Sequence, residues 1–403
     1  MRRAAAIALA AAAWALAAPA AQAARGMEVG IQDDPVFLQR DYYDRDLALE
    51  QARQLGVTRI RVNLGWASVL GADAKSETET PPPGYGAFAL HDDLISAAAA
   101  RGIRVQITII PPAPAFATSN GKVGVQEPNP RMFGRFVRAV AEHFRGRVDR
   151  YSIWNEPNHV GWLAPQKRAP ALYRELYRAG YAAVKRVDRS AEVLLGELLP
   201  YENLPRQASP LRFLRELTCT KPTAAFPGAR TYRLHRTGGC PVLRADGLAH
   251  HPYDYQGPPE RPYPGTDNVT IGTLSRLTTT LDALARVRAL ATPKRRTVPV
   301  YLTEFGYFGT GKYSHPDVRR ASYLKRAYAL ALRNTAVREI TQYLLVRPPR
   351  RYRGGYFDMA LIDSDGAVMD SFRALSKWSR KAAARGDIAA PGDPIALPPQ
   401  PIP

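Results

Sequence analysis

Short β-branched segments alternate with longer segments of helical periodicity along most of this chain. The short segments are rich in valine and isoleucine, and the longer ones repeat apolar residues every three or four positions, as amphipathic helices do. The predicted strands are eight in number and lie at 27–32, 59–66, 104–110, 150–157, 192–198, 245–253, 298–307 and 339–346. The predicted helices lie at 45–56, 131–144, 171–187, 274–290, 318–334 and 371–385, with a shorter one near 210–218.

This alternation indicates parallel strands joined by helical crossovers, and eight strands is the number that closes a (β/α)8 barrel. An open doubly wound sheet is the alternative, but such a sheet would be expected to carry a glycine-rich phosphate turn after its first strand. The segment at 30–37 reads GIQDDPVF and contains no such turn. We therefore predict an α/β protein with the (β/α)8 TIM barrel fold and a single domain.

The predicted barrel domain covers residues 24–388 and contains a loop insertion around 199–244. Residues 389–403 are rich in proline and are expected to form an extended or disordered tail. The sequence has no internal repeat of solenoid period and no segment that indicates a second domain. One barrel is therefore expected to account for the chain between its leader and its tail.

The first 23 residues have the pattern of a secretory signal peptide. A basic start is followed by an alanine-rich apolar run and by the small-x-small cleavage site Ala21-Gln22-Ala23. An uncleaved membrane anchor is the alternative, although alanine-rich runs are weak spanning segments, and no later stretch approaches the roughly 20 apolar residues that cross a bilayer. We expect a secreted, extracellular protein without a membrane span after signal cleavage; a periplasmic or cell-wall-associated location stays open.

The two cysteines of the chain, Cys219 and Cys240, lie close together in the predicted insertion. In an oxidising compartment, an even number of cysteines at short separation indicates a disulfide that closes a loop. Two free thiols or half of a metal site are the alternatives, but further clustered ligands are lacking. We predict a disulfide.

The net charge of +20 raises the question of nucleic-acid binding. The arginines are scattered along the predicted helices instead of forming one basic block, and no nucleic-acid-binding motif accompanies them. Scattered arginines are typical of solvated helix faces. The sequence therefore argues against a nucleic-acid partner, although the excess charge can attract the protein to anionic cell-surface polymers.

Two glutamates occupy the ends of predicted strands. Asn155 and Glu156 end the fourth strand, and Glu304 ends the seventh. Strand ends converge on the catalytic face of a closed barrel, and two carboxylates about 5–5.5 Å apart suit retaining glycoside hydrolysis, one as acid/base and the other as nucleophile. An apolar setting would keep the acid protonated, and donors such as Arg61 and Tyr253 would keep the nucleophile ionised.

The motif WNEPN (154–158), followed by YLTEFG (301–306), resembles the glycoside hydrolases of clan A, the 4/7 superfamily of retaining TIM-barrel enzymes. Families 5 and 39, which are cellulase-like, are the most similar. The resemblance implies that Glu156 is the proton donor, that Asn155 contacts the 2-hydroxyl of the sugar, and that Glu304 is the nucleophile.

The same resemblance extends to further substrate-binding residues. The segment HHPYD (250–254) is similar to the strand-six element of the clan, which implies that His251 and Tyr253 orient the substrate and the nucleophile. Arg61 stands where the clan often has an arginine near the nucleophile. Many clan members carry a tryptophan at the end of strand eight, whereas this chain has Tyr343, so either Tyr343 or an aromatic residue from a loop is expected to form the floor of the central subsite.

Three tryptophans are candidates for stacking on a sugar ring. Trp162, in the loop after the fourth strand, is the preferred platform for the substrate, and Trp66 is a second candidate. Trp154 is expected to be buried in the barrel wall. The adjacent residues His250 and His251 point to opposite faces of a strand and are poorly placed to bind one ion, so no metal and no cofactor is expected.

The sequence thus predicts a secreted retaining β-glycoside hydrolase that cleaves O-glycosidic bonds of a polysaccharide or oligosaccharide by a two-glutamate double displacement. A catalytically weak carbohydrate-binding barrel at the cell surface is the alternative. The expected partner is a β-linked carbohydrate. The sugar, the linkage, endo or exo cleavage and the oligomeric state do not follow from the sequence.

Overall fold

The computed structural model of the chain describes residues 25–71, 86–293, 297–352 and 356–399, so the predicted signal peptide lies outside the described residues. Eight parallel strands close into a barrel in which each strand pairs with the next and the last pairs with the first. The strands are β1 (Glu28–Gln32), β2 (Arg59–Gly65), β3 (Arg104–Ile110), β4 (Arg150–Ile153), β5 (Glu192–Leu198), β6 (Gly247–His250), β7 (Val300–Phe305) and β8 (Val337–Tyr343). The predicted (β/α)8 barrel is confirmed.

Helices connect the strands and cover the outside of the barrel. They are α1 (Asp34–Phe37), α2 (Arg45–Gln54), α3 (Trp66–Leu70), α4 (Ala89–Ala99), α5 (Pro130–His143), α6 (Ala169–Val187), α7 (Pro210–Leu217), α8 (Leu274–Arg286), α9 (Asp317–Arg333) and α10 (Asp370–Ala384). Among the helices that the structure describes, none has the length and apolar character needed to cross a membrane.

Helix α5 illustrates how local sequence sets these elements. Its side-chain cap is Asn129, whose oxygen accepts hydrogen bonds from the backbone N–H groups of Arg131 and Met132 at 2.9 and 3.2 Å. Phe133 and Phe136 face inward and are fully buried, while charged residues occupy the opposite side. The apolar stripe read from the sequence is therefore the face that packs on the barrel.

Five strands end earlier than the sequence predicts, and the shifts at β4 and β6 bear on the site. β4 ends at Ile153, because Trp154 and Glu156 adopt left-handed backbone angles (φ 74° and 43°) that turn the chain out of the ladder. β6 ends at His250, and Pro252 has no N–H with which to continue a ladder. Both changes carry the residues that follow the strands above the rim of the barrel.

The segment between β5 and β6 contains more regular structure than the long loop expected at 199–244. It includes α7, which agrees with the helix predicted near 210–218, and an antiparallel pair of short strands that was not predicted, Thr220–Ala224 and Arg233–Arg236. Cys219 and Cys240 form a disulfide at the base of this hairpin, with their Cα atoms 5.7 Å apart. The predicted disulfide is confirmed, and it closes a loop on the outside of the barrel.

The N-terminal end of the barrel is filled by paired charges. Nη1 of Arg150 donates to Glu28 and to Glu339 at 2.6 Å each, and Arg59 pairs with Glu28 at 3.0 Å. These arginines are buried, and the guanidinium of Arg150 also lies 4.4 Å from the ring centre of Tyr301. We interpret this face as structural, as is usual for barrels of this type.

The proline-rich segment after α10 runs along the same end of the molecule. The N–H of Ala389 donates to the carbonyl of Met27 at 3.0 Å, and that of Ile395 donates to the carbonyl of Ala99 at 2.8 Å. From Ala389 to Pro399 the segment is assigned neither to a helix nor to a strand.

Candidate active site

The C-terminal ends of the barrel strands surround a cavity of about 480 Å³. This volume falls in the usual range for small-molecule sites, roughly 300–1,000 Å³. The residues that line it are Gln32, Asp34, Asn63, Asn155, Glu156, His159, Trp162, Leu199, Tyr201, Gln207, Tyr253, Tyr255, Glu304, Tyr343, Leu344, Tyr356 and Phe357. The lining thus combines the two predicted catalytic glutamates with a ring of aromatic side chains.

Glu156 and Glu304 meet in this cavity. One carboxylate oxygen of each and a ring nitrogen of His251 lie within 4.8 Å of one another. Each glutamate side chain is 13% exposed, whereas His251 is fully buried. Barrel closure has therefore placed the end of β7 and the turn after β4 as the sequence predicted.

Glu304 is held by donors on both oxygens. Nη1 of Arg61 donates to Oε1 at 2.9 Å, and the hydroxyl of Tyr253 donates to Oε2 at 2.9 Å. Arg61 stands in the middle of β2, and Tyr253 follows the end of β6, so separate parts of the rim fix one carboxylate. Charge-assisted hydrogen bonds of this kind hold a carboxylate in a defined orientation.

Glu156 has a different environment. Its Oε1 lies 2.9 Å from Nδ1 of His251. Burial raises the pKa of Glu156, the hydrogen bond with His251 opposes this, and the nearby charge of Glu304 raises the pKa further, with a net increase. A buried carboxyl with a raised pKa is suited to donate a proton near neutral pH.

The pKa of His251 moves in the opposite sense to that expected from burial alone. Burial lowers the pKa of this imidazole, but the carboxylates of Glu304, Glu156 and Glu197 outweigh burial and leave the pKa raised. His251 lies 2.9 Å from Glu156 and 3.6 Å from Glu304, so it bridges the two acids.

Arg61 connects several polar side chains beneath the cavity through hydrogen bonds. It is fully buried and donates through Nη2 to Oδ1 of Asn155 at 3.1 Å, through Nε to Oε1 of Glu197 at 3.0 Å, and to Gln32. Asn155 is 5% exposed and lines the cavity beside Glu156. Of the six residues predicted to bind substrate, Arg61, Asn155, His251 and Tyr253 thus form one network with the two glutamates.

Glu197 completes that network and is missing from the sequence prediction. Burial raises the pKa of Glu197, but the Arg61 guanidinium more than offsets this and the pKa lies below its ordinary value. The pairing of β5 with β6 shifts register between Gly196 and Leu198, and a Cβ at Gly196 would lie 2.6 Å from the Ala249 carbonyl. This bulge re-aims Glu197 into the barrel, where Thr108 also donates to it at 3.0 Å. The sequence feature that could have identified Glu197 is an acidic residue near the end of a mainly apolar strand.

The three candidate tryptophans divide into one cavity residue and two buried ones. Trp162, the preferred candidate for a sugar platform, is partly exposed and lines the cavity. Trp154 is fully buried, and its indole N–H donates to the Trp162 carbonyl at 2.8 Å. The prediction of Trp66 as a sugar platform is wrong, because Trp66 is buried in α3 and packs on Phe133 and Phe136 at 5.3 and 5.9 Å between ring centres.

Tyr343 lines the cavity from the end of β8, at the position where the sequence prediction expected a floor for the sugar. Further aromatic residues come from loops and were not predicted. Tyr201 follows β5, Tyr255 stacks on Tyr253 with ring centres 5.1 Å apart, and Phe357 is 55% exposed at the rim. No periodic pattern marks such loop residues, so only the folded chain identifies them.

The cluster of Glu156, His251 and Glu304 offers three ligand atoms of the kind that bind divalent cations. Its surroundings do not fit an ion well. Both oxygens of Glu304 already accept hydrogen bonds, and the Arg61 guanidinium lies 2.9 Å from one of them. An added cation would sit beside a fixed positive charge, which favours proton chemistry at these carboxylates.

Comparisons with known proteins reveal similarity in structure. No protein-family model matches the sequence, and no curated protein matches it. A family 39 glycoside hydrolase from Bacteroides cellulosilyticus WH2 has a TM-score of 0.59 at 20% identity over 88% of this chain and 64% of that protein. An exo-β-1,4-mannosidase from Opitutaceae bacterium strain TAV5 has a TM-score of 0.55 at 18% identity over 90% and 60%. The GH5_18 protein from Streptomyces cattleya in complex with GlcNAc has a TM-score of 0.60 at 17% identity over 92% and 83%.

This chain spans less than two thirds of the length of the first two of these proteins. The similarity covers nearly all of this chain, however, and the similar structures include members of families 39 and 5, the two families that the sequence motifs indicate. The chain has the (β/α)8 barrel fold of the clan A glycoside hydrolases that its sequence resembles.

Proposed function

We propose that this protein is a retaining β-glycoside hydrolase that cleaves O-glycosidic bonds of an oligosaccharide or polysaccharide. The observation that carries the proposal is that one carboxylate oxygen of Glu156 and one of Glu304 lie within 4.8 Å of each other in an aromatic-lined cavity. Carboxyl groups about 5–5.5 Å apart suit a covalent double displacement, whereas inverting enzymes need about 6.5–9.5 Å to admit a water.

In the first step, Glu156 donates its proton to the glycosidic oxygen while an oxygen of Glu304 attacks the anomeric carbon. The bond between that carbon and the leaving oxygen breaks, the alcohol departs, and an ester joins the sugar to Glu304. The raised pKa of Glu156, caused by burial, keeps this proton available. Arg61 and Tyr253 hold the attacking carboxylate in place.

In the second step, Glu156 acts as a base and removes a proton from water. The water oxygen attacks the anomeric carbon, the ester bond breaks, and Glu304 is regenerated as a carboxylate with Glu156 protonated again. Two displacements at one carbon retain its configuration. Substrate, water and the two glutamates are sufficient for both steps.

The surrounding residues supply binding. Asn155 is proposed to contact the 2-hydroxyl, where hydrogen bonds strengthen in the transition state. His251 orients Glu156, and Trp162 and Tyr343 provide ring faces for stacking on sugars. The proposed partner is therefore a carbohydrate, and the same site gives no support to a nucleic-acid partner.

Secretion is part of the proposal. The Cys219–Cys240 disulfide suits an oxidising compartment, and the sequence of residues 1–23 has the pattern of a signal peptide. An extracellular, periplasmic or cell-wall-associated location fits both features. N-terminal sequencing of the secreted protein checks the site of cleavage.

Trapping of the nucleophile tests the reaction. Incubation with 2-fluoro aryl β-glycosides of several sugars should add one glycosyl group per protein, and peptide mapping should place it on Glu304. Glu304→Gln should abolish turnover and labelling, while Glu202→Gln, an exposed glutamate, serves as the matched control. Labelling elsewhere, or unchanged turnover by Glu304→Gln, refutes the assignment; glycan retention without turnover in the wild type indicates a carbohydrate-binding barrel instead.

A further inference from the structure

Two adjacent aspartates after β1 have different roles. Asp33 is fully buried, and its Oδ2 accepts hydrogen bonds from the backbone N–H groups of Leu345 and Val346 at 3.1 and 3.0 Å, while its Oδ1 has no partner among the described residues. Asp33 does not line the cavity, and these bonds tie the end of β1 to the segment after β8. Asp34, the next residue, lines the cavity and is 8% exposed.

Asp34 has an acceptor without a partner. Its Oδ2 accepts a hydrogen bond from Nδ2 of Asn63 at 2.7 Å, whereas its Oδ1 is buried and has no partner among the described residues. The Oδ1 atom of Asn63, which also lines the cavity, is likewise buried without a partner in the described part of the chain. A buried polar atom without a partner is costly, so two such acceptors on hydrogen-bonded residues that both line the cavity indicate that a ligand supplies the donors.

The position of this pair relates it to one part of a sugar. Glu156 follows β4 and must reach the oxygen on C1, while β1 lies across the barrel mouth beside β8. In a pyranose ring C4 is opposite C1. A sugar whose C1 lies over Glu304 therefore directs its C3–C4 edge away from Glu156, towards the side on which Asp34 and Asn63 stand.

The charges around Asp34 and Asn63 limit which groups the C3–C4 edge of the sugar can have. Burial raises the pKa of Asp34 to about 7, against the opposing charge of Arg61. Among the described residues that line the cavity, none is a lysine or an arginine, and Arg61 beneath them pairs with the carboxylates of Glu197 and Glu304. An anionic sugar would meet carboxyl groups here without a free cation, whereas hydroxyl donors would satisfy both acceptors.

We propose that Asp34 and Asn63 form a hydroxyl-accepting subsite that selects a neutral sugar with free hydroxyl groups at its C3–C4 edge. This inference rests on the proposed glycosidase function and names the substrate class of that site. Asp34 is a specificity-determining residue, and its hydrogen bond with Asn63 fixes which oxygen faces the sugar.

The test compares Asp34→Asn with the wild type on the best aryl β-glycoside of a neutral-sugar panel and on its 3-deoxy and 4-deoxy analogues. At pH 8, above the pKa of about 7 of Asp34, Asp34→Asn replaces an ionised acceptor by a neutral amide and should lower kcat/KM for the parent glycoside about 10- to 100-fold, the range for a hydrogen bond to a charged group. On at least one deoxy analogue the variant and the wild type should agree within about twofold, because the contact is already absent. The aryl β-glucuronide should be the poorer substrate of the wild type.

The controls separate this inference from the proposed function. Asp41→Asn makes the same change at an exposed aspartate and should retain wild-type kcat/KM. Stoichiometric labelling of Asp34→Asn by the 2-fluoro glycoside verifies that its site is formed. Three results overturn the subsite alone, provided that the wild type turns over glycosides. They are an equal loss of kcat/KM by Asp34→Asn on the parent and both deoxy analogues, no loss by this variant, and a wild-type preference for the glucuronide. A wild type that turns over no glycoside overturns both proposals.

Discussion

Arg61 and Glu197 form a fully buried ion pair beneath the mouth of the barrel, with Nε of Arg61 donating to Oε1 of Glu197 at 3.0 Å. The same guanidinium donates to Glu304, which faces the cavity. Glu197 itself does not line the cavity and therefore acts through Arg61. A carboxylate on β5 thus positions the donor that holds the proposed nucleophile on β7.

Glu197→Gln should destabilise the protein and impair turnover. Removing one partner of a buried ion pair costs about 3–5 kcal/mol. Urea unfolding should report a loss of that order, and kcat should fall because Arg61 loses its fixed orientation. Glu50→Gln, at an exposed pair with Arg101, is the control and should change the unfolding free energy by less than about 1 kcal/mol. Equal stability of Glu197→Gln and the wild type would contradict the role assigned to the pair.

The pH dependence of turnover should report the proton on Glu156. The acid must be protonated to assist a poor leaving group, so kcat/KM for phenyl glycosides should fall as pH rises through the raised pKa of Glu156. Dinitrophenyl glycosides need no proton on departure, so their kcat/KM should decline much less over the same range. Glu156→Gln should lose kcat/KM on the phenyl substrate and retain it on the dinitrophenyl substrate, on which its kcat should fall because hydrolysis of the ester lacks its base. Identical pH profiles for the two substrates would argue against Glu156 as the acid.

Trp162 and Trp66 should respond differently to truncation. Trp162→Ala should lower kcat/KM about 2- to 10-fold, the worth of one aromatic stacking contact, with little effect on thermal stability. Trp66→Ala should lower the unfolding free energy by about 3–5 kcal/mol, because it leaves a hole against Phe133 and Phe136. Steady-state kinetics and urea unfolding of both variants check this division, and a reversal of the two effects would refute it.

Asp33 should make stability fall as pH rises. Burial raises the pKa of Asp33 from 3.8 to about 7, so between about pH 4 and pH 7 the folded protein keeps a proton that the unfolded chain releases. Asp33→Asn retains an oxygen acceptor for Leu345 and Val346 but cannot ionise. The Tm of Asp33→Asn minus the Tm of the wild type should be a few degrees larger at pH 8 than at pH 4.

Differential scanning calorimetry of Asp33→Asn, with Asp41→Asn as the exposed control, checks the sign of this effect. The control should follow the wild type at every pH, since Asp41 is exposed. A Tm difference between Asp33→Asn and the wild type that stays constant with pH would mean that Asp33 is ionised in the fold at low pH.

Much of the architecture was predictable because its causes are local. The helix boundaries follow from apolar periodicity and caps, and the observed α2, α5 and α9 agree with the prediction to within two residues at each end. The ends of β4 and β6 were less predictable, since left-handed turns at Trp154 and Glu156 are imposed by packing around the rim. The position of Glu304 at the end of β7 followed from the strand pattern alone.

The rest of the site depended on contacts between distant strands. Glu197 enters the barrel only because a bulge in β5 breaks the alternation of sides that a strand otherwise maintains. Asp34 and Phe357 come from opposite ends of the chain, and no pattern in either segment refers to the other. Trp66 was a candidate for stacking on a sugar because the sequence placed it at the end of the second strand, whereas it begins α3 and is buried.

The sequence by itself determined the alternation of strands and helices, the closing number of strands and the placement of two glutamates at strand ends. These follow from periodicity, which each short segment carries independently. The tertiary structure decided which carboxyl groups have a raised or a lowered pKa, as in Glu156 and Glu197, and which of two adjacent acids lines the cavity, as in Asp33 and Asp34. Burial and distance set those properties, and both exist only after the barrel has closed.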